Sequence, residues 1–344
     1  MSKITENELK KKIGDQNFSG FYLLYGDEKY LVSYYTKKIV ESIVGTKYND
    51  FNFQVFNKDK IDINDILSSV ESVPLMSDKK CVLINDLDLS LLNDNDRNSF
   101  IKLISDLPET TVLIMSYPTL EIDLKKNTKW KKFISSADEF GTILKFEKRG
   151  LQALERQLVS WAKKRGTVLS LLNASKIIML CGDDLHTLSL EIEKLCAYVD
   201  YKEITEDDIE TIVAKNLETT VFALSNALAR RDYEKAFRQL DLLFYQREEP
   251  ISVLAVLSSV FIDMYRVRVS LESGKDPCEL TKYFDYKNKA FKLKNAQRDS
   301  KKITTDNIKK CLNILSETDM LLKNTRADKR VVMEELISKI MLTL

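Results

Sequence analysis

Two hydrophobic patterns follow each other in turn along the first 146 residues. Short apolar runs typical of buried strands alternate with segments whose apolar residues recur every three or four positions, as in amphipathic helices. Predicted strands cover residues 20–26, 51–56, 81–86, 111–117 and 142–146, and predicted helices cover 28–44, 63–73, 97–107 and 124–135. Strands that alternate with helices predict an α/β domain whose parallel sheet is covered on both faces.

The pattern changes at about residue 150, after which no convincing strand is found. Helical periodicity predicts helices over 151–164, 174–181, 185–198, 204–215, 233–245, 251–271, 304–323 and 328–342. Thr205 is the expected N-cap of the fourth of these, with Asp208 completing an acidic variant of a capping box. We therefore predict three domains: an α/β domain (1–146), a small helical domain (147–214) and a third unit of about six helices (215–344).

Composition excludes several classes of function. The 53 Lys and Arg residues balance 52 Asp and Glu residues, so any charged partner must be met by a local patch. Five scattered cysteines without CxxC spacing favour reduced thiols over a zinc site or disulfides, and a single histidine, His186, leaves little room for His-based catalysis or metal binding. With no apolar leader and no uninterrupted apolar run of membrane length, we expect a cytoplasmic protein without membrane contact, metal, cofactor or catalytic residues.

The turn after the first strand has the position of a phosphate-binding loop but not its residues. In Gly26–Ser33, GDEKYLVS, the first glycine and the final serine fit the P-loop pattern, whereas Leu31 replaces the second glycine and Val32 the lysine. Asp27 and Glu28 place two negative charges where a polyphosphate would lie, each costing about 1–4 kcal/mol if unscreened. The sequence therefore predicts a nucleotide-hydrolase layout that binds no nucleotide.

Asp86 follows the third predicted strand, where a magnesium-binding carboxylate of a nucleotide hydrolase would lie. Magnesium at such sites uses the substrate phosphates as further ligands, and the loop that would hold them is missing. We therefore interpret Asp86 as a solvated residue at the end of a strand.

Large apolar residues stand at a polar corner between the second predicted helix and the third predicted strand. Pro74 disfavours helix at the residue before it, and Leu75 and Met76 are followed by Ser77-Asp78-Lys79-Lys80. Adjacent apolar residues in such a place often mark a contact site. The alternative is that one of the two side chains packs back onto the core.

A basic stretch lies late in the chain. Residues 282–302 contain eight Lys or Arg against two Asp, with interleaved aromatic residues. DNA phosphates or bases are one partner for such a pattern, and the residues we single out are Lys287, Lys292, Lys294 and Arg298. The alternative is a solvated helix face with its aromatic side in the core.

Seven segments, in this order, resemble the delta subunit of the bacterial DNA polymerase III clamp loader. They are YLLYGDEKYLV, SSVESVPLMSDKKCVLINDL, LVSWAKKRG, GDDLHTLSLEIEKLCAY, ITEDDIE, VFALSNALARRDYEKAFRQLDLL and ETDMLLKN, and they span nearly the whole chain. One departure is Met76, where relatives of this family carry an aromatic residue.

The resemblance implies an AAA+-like module without ATP, made of the α/β domain and a helical lid, followed by a helical collar. It also implies a role: the chain would grip the sliding clamp (beta subunit) through Leu75 and Met76, and hold its ring open for loading onto primed DNA. Because two side chains give too little contact area for a stable complex, we expect Val73 and Pro74 to add to the contact. The collar would join it to the ATPase (gamma/tau) and delta-prime subunits, in a holoenzyme that has DNA-directed DNA polymerase (nucleotidyltransferase) activity. Two alternatives remain open, a divergent nucleotide hydrolase and a helical DNA-binding adaptor.

Overall fold

A parallel five-stranded sheet forms the centre of the first part of the chain. The structure is a computed structural model, and it describes residues 4–45, 51–58, 62–124, 127–284, 286, 290–324 and 327–344. Of residues 290 and 291, only the backbone is described. The chain divides into two compact units, Met1–Leu154 (unit 1) and Glu155–Leu344 (unit 2). Unit 1 is α/β, and the described part of unit 2 is helical apart from one isolated bridge between Val168 and Glu203. The predicted fold class is thereby confirmed.

The sheet has the strand order β2-β3-β4-β1-β5, and all of its strands run parallel. Its strands are β1 (Gly20–Gly26), β2 (Phe53–Asn57), β3 (Lys80–Asn85), β4 (Thr111–Ser116) and β5 (Gly141–Phe146). The strands β1, β3 and β4 are buried almost throughout, which explains why they read as continuous apolar runs. The edge strand β2 is largely exposed and begins two positions later than its alternating pattern indicated.

Among the described residues, five α-helices belong wholly to unit 1: α1 (Glu6–Asp15), α2 (Lys29–Val44), α3 (Ile63–Glu71), α4 (Asp94–Ser105) and α5 (Thr128–Phe140). Helix α1, which opens with a capping box between Thr5 and Glu8, was not predicted from the sequence. The boundaries predicted for α5 were wrong. The Asn127 side chain accepts hydrogen bonds from the Lys129 and Trp130 amides and sets the start, and the buried face from Trp130 to Ala137 extends the helix to Phe140.

Helix α1 is held against the rest of unit 1 by the carboxylate of Glu6. Tyr35 on α2 donates its hydroxyl to Glu6 Oε1 at 2.6 Å, and Arg149, just beyond β5, donates to Oε2 at 2.5 Å. Burial acts to raise the pKa of Glu6, but hydrogen bonds from Lys10 and Tyr35 and the charge of Arg149 outweigh it, so the pKa is lowered. The three elements are thus joined by one ionised carboxylate.

Helix α6 (Leu151–Lys164) contains the boundary between the units. Unit 2 continues with α7 (Leu171–Cys181), α8 (Leu185–Tyr198), α9 (Glu206–Ile212), α10 (Leu217–Ala229), α11 (Tyr233–Tyr245), α12 (Pro250–Glu272), a 3₁₀ helix (Pro277–Lys282), α13 (Ala290–Ser300), α14 (Thr305–Asn324) and α15 (Lys329–Thr343). The capping box of Thr205 and Asp208 is present as predicted. The division of unit 2 into lid and collar stays a prediction.

Helix α12 runs through the core of unit 2. By length and composition alone it could cross a membrane, with a mean hydropathy of 1.5 over its most apolar 18 residues. Half of that window is buried, however, and α12 packs against α10, α13 and α14. Its apolar character is thus explained by the core that it forms with those helices.

Candidate functional site

Gly26, the glycine of the P-loop-like turn, is required by the packing of two strands. Gly26 lies opposite Phe146 in the β1–β5 pairing with φ at +142°, and a Cβ atom there would be 2.1 Å from the Phe146 carbonyl oxygen. The same carbonyl accepts a hydrogen bond from the Glu28 amide at 3.1 Å. A glycine at this turn is therefore accounted for by backbone contact, without any phosphate.

The carboxylate of Asp86 is used inside the fold, so the interpretation of this residue as solvated was wrong. Asp86 is buried with φ at 54°, and its carboxylate accepts hydrogen bonds from the Thr119 amide (3.0 Å), the Thr119 hydroxyl (2.8 Å) and the Leu120 amide (2.8 Å). The residue thus stabilises the turn that follows β4. No local sequence pattern indicates this contact, since the partners lie more than thirty positions away.

Lys29 is directed at the same turn. Its Nζ atom donates to the carbonyl oxygens of Tyr117, at 3.1 Å, and of Leu120. Burial lowers the pKa of Lys29, and the nearby charges of Asp86, Glu121 and Asp27 partly oppose that shift. The cation and the carboxylate near the position of a nucleotide site are thus both bonded to the backbone after β4.

The apolar residues between α3 and β3 point away from the core. We call Val73–Met76 the apolar loop. Val73 is 83% exposed, Leu75 is 50% exposed and Met76 is fully exposed at 101%, while Pro74 is half-buried. The alternative that one side chain packs back onto the core is therefore wrong for Met76, while Leu75 leaves half of its surface open to a partner.

The backbone of the apolar loop is nevertheless fixed. Asn52, only 6% exposed, accepts a hydrogen bond from the Leu75 amide through Oδ1 and donates to the Leu75 carbonyl through Nδ2, both at 2.7 Å. The next residue, Met76, has a φ of 51°, a left-handed conformation that costs a side chain of this kind roughly 1–2 kcal/mol. The loop therefore contains a locally strained residue directly after the position that Asn52 holds.

The end of α3, which leads into the apolar loop, is held by a buried lysine. Lys80 donates through Nζ to the Ser69 carbonyl and, at 2.6 Å, to the Ser72 hydroxyl, and burial lowers its pKa. Thr111 on β4 donates its hydroxyl to the Val70 carbonyl at 3.0 Å. The loop is therefore held at its start by β3 and β4 and in its middle by Asn52.

Of the basic residues singled out in the sequence, three are described by the structure, and Lys292 lies apart from Lys294 and Arg298. Lys292 faces α10, with Nζ 3.9 Å from the Glu218 carboxylate and 5.7 Å from the centre of the Phe222 ring. Lys294 and Arg298 are exposed one turn apart on α13, and Arg298 is paired with Asp299 at 2.7 Å. Lys287 lies outside the described residues. Of the four, Lys294 and Arg298 remain available to DNA.

Metal binding receives no support from the described part of the chain, which contains no group of three or more His, Cys, Asp or Glu side chains arranged to hold an ion.

Comparison with known proteins identifies the family. A family profile described as "DNA polymerase III, delta subunit" matches residues 22–140, and one for the C-terminal domain of the same subunit matches residues 218–340. The chain belongs to the family of DNA polymerase III delta subunits. It is therefore a clamp-loader subunit of the DNA replication machinery and works in a complex with other clamp-loader components. The first match contains the P-loop-like turn and the apolar loop, and the second contains α11–α14 complete and α15 as far as residue 340.

Two curated relatives agree with this family. DNA polymerase III subunit delta of Bacillus subtilis is 23% identical over 321 residues, which are 91% of this chain and 90% of the relative. A probable DNA polymerase III subunit delta of Aquifex aeolicus is 24% identical over 283 residues, covering 79% and 77% of the two chains.

Among solved structures, the Bacillus subtilis DNA clamp loader delta protein is similar over almost the full length. The match has a TM-score of 0.66 at 21% identity and covers 98% of this chain and 99% of that one. At this level of identity the likeness supports the fold.

Proposed function

We propose that this delta subunit binds the sliding clamp through the apolar loop and holds the ring open while it is loaded onto primed DNA. The observation that carries the proposal is the exposure of Val73, Leu75 and Met76 on a backbone that the fold holds in place. Apolar side chains on a preorganised loop bind a partner without first losing the entropy of a mobile segment.

The apolar loop is small, which limits the binding free energy that it can contribute to the interface. Burying Leu75 and Met76 in a partner contributes roughly 3–6 kcal/mol, whereas association costs an estimated 4–15 kcal/mol. The two residues are therefore not sufficient alone, and Val73 and Pro74 supply further contact area. Binding opens the ring only if the surface fits the open ring better than the closed one.

The energy for loading comes, in this proposal, from neighbouring ATPase (gamma/tau) subunits, with the delta-prime subunit completing the cytoplasmic complex. The hydrogen bonds of Lys29 and Asp86 with the turn after β4 support the assignment of ATP hydrolysis to other subunits, because these two groups are engaged within the fold. A nucleotide hydrolase, the first alternative, would instead release measurable heat when titrated with ATP and magnesium.

The test replaces Leu75 and Met76 together by Ala and measures binding of the full chain to the sliding clamp of the same organism by surface plasmon resonance. Leu172→Ala with Met179→Ala is the matched control, since this second Leu and Met pair is also exposed, on α7. We expect at least a tenfold loss of affinity in the first variant and none in the control, as two buried side chains contribute several kcal/mol. Unchanged affinity in the loop variant would sink the assignment.

A further inference from the structure

The contact between Asn52 and Leu75 points to a residue that acts on the clamp without touching it. We infer that Asn52 is a positioning residue whose side-chain amide holds the backbone of the apolar loop in its binding conformation. The inference rests on the proposed clamp-binding function and adds to it a residue outside the apolar loop.

The side-chain amide of Asn52 bonds to the backbone of Leu75 in the way that a residue of a neighbouring β-strand would. The amide of Asn52 donates to the Leu75 carbonyl and accepts from the Leu75 amide, both at 2.7 Å, so it satisfies both polar backbone groups of that residue. An asparagine side chain carries both a donor and an acceptor on one plane, which Ser, Asp and Ala do not. The residue type is thus matched to the task.

Asn52 is itself held in place from the sheet. Its own carbonyl oxygen accepts a hydrogen bond from the Cys81 amide at 2.8 Å, immediately before β2 begins its pairing with β3. The side chain therefore extends from a fixed point in the sheet to the middle of an otherwise exposed connection. Because Asn52 is only 6% exposed, its effect on a partner has to pass through Leu75 and the residue after it.

The consequence for binding follows from the conformation of Met76. A non-glycine residue at positive φ is disfavoured in a free chain, so without the bonds from Asn52 the loop would spend much of its time in other conformations. Apparent affinity falls in proportion to the competent fraction. If that fraction drops to about a tenth, binding weakens about tenfold, and the change lies mainly in the association rate.

The test is Asn52→Asp, an isosteric change that keeps the acceptor and places a carboxylate oxygen against the Leu75 carbonyl. Asn57→Asp is the matched control, because Asn57 lies on the same strand pair and its Oδ1 only accepts a bond, from Asn85, which a carboxylate preserves. Surface plasmon resonance with the full chain and the clamp of the same organism gives both rates. We expect about a tenfold slower association for N52D and less than a twofold change for N57D.

Two further measurements separate positioning from general stability. Urea unfolding monitors whether N52D remains folded, and amide hydrogen exchange in the unaltered chain reports on the Leu75 bond directly, whether or not the variant folds. We expect Leu75 to exchange on the order of a hundredfold more slowly than in a short peptide of the same sequence. Exchange at the peptide rate overturns the inference.

The outcomes also separate this inference from the proposed function. If the unaltered chain binds the clamp and N52D binds with the same association rate, the positioning role is wrong and clamp binding stands. If the unaltered chain does not bind the clamp at all, the proposed function fails and the positioning role fails with it.

Discussion

Gly26 and Phe146 lie so close together that the first strand of the sheet admits only a glycine at its end. A Cβ atom at position 26 would be 2.1 Å from the Phe146 carbonyl oxygen, and φ is +142°. We expect Gly26→Ala to lower the free energy of unfolding by about 3 kcal/mol, through strain and displacement of β5.

The control for this change is Gly14→Ala, in helix α1, where a Cβ atom meets nothing within 4 Å. This variant should be neutral or more stable by up to about 1 kcal/mol, since Ala favours helix over Gly. Urea unfolding of both variants measures the difference. Equal stability of G26A and G14A would contradict the account of the turn as a packing requirement.

Because Met76 has a positive φ and Leu75 does not, replacement by glycine rather than alanine should have opposite effects on stability at the two positions. Met76→Gly should be more stable than Met76→Ala by roughly 1 kcal/mol, because glycine adopts positive φ without penalty. At Leu75, whose φ is not positive, glycine should be less stable than alanine by about 0.4–1 kcal/mol. Both Met76 variants should bind the clamp more weakly than the unaltered chain, so that stability and function change in opposite directions in M76G.

The fold of unit 1 could be predicted from the sequence because its signals are local. Buried apolar runs marked the strands β1, β3, β4 and β5, and helical periodicity marked α2. Helix α1 was missed because its predictive features are a capping box and a single fully buried residue, Leu9, rather than a long apolar face.

The candidate site was predictable only in part. An apolar sequence at a polar corner indicated Leu75 and Met76, whereas Asn52 lies 23 positions before its partner Leu75 and has no pattern of its own. The burial of Lys80 and Asp86 was likewise hidden, because a charged residue at a strand end normally reads as solvated. Such contacts depend on which strands become neighbours in the sheet.

The carboxylate of Glu6 gives a dependence of stability on pH. Its pKa is lowered in the folded chain from the usual 4.5, so the group contributes stability above pH 4.5 that is lost as pH falls through the folded-state pKa. Glu6→Gln should therefore be less stable than the unaltered chain at pH 7 and approach it as the pH falls below 4.5. Glu109→Gln, at an exposed position, is the control for the substitution itself, and urea unfolding at each pH compares the two variants.

The hypothesis that the basic stretch contacts DNA can be tested at Lys294 and Arg298, which are exposed. They lie one turn apart on the exposed face of α13, whereas Lys292 faces Glu218 on α10. We expect Lys294→Glu to weaken clamp loading onto primed DNA by the assembled complex and to reduce its salt dependence by about one phosphate contact. Lys309→Glu, on α14, is the control, and equal loading by the two variants would exclude a DNA contact at Lys294.

Nucleotide-independent binding of the clamp tests the central claim most directly. The full chain, without other subunits, is titrated with the sliding clamp of the same organism in the presence and in the absence of ATP and magnesium. We predict binding with the same dissociation constant in both conditions, because Lys29 and Asp86 are bonded within the fold and the apolar loop is already in place. Binding that requires ATP, or no binding in either condition, would contradict the account.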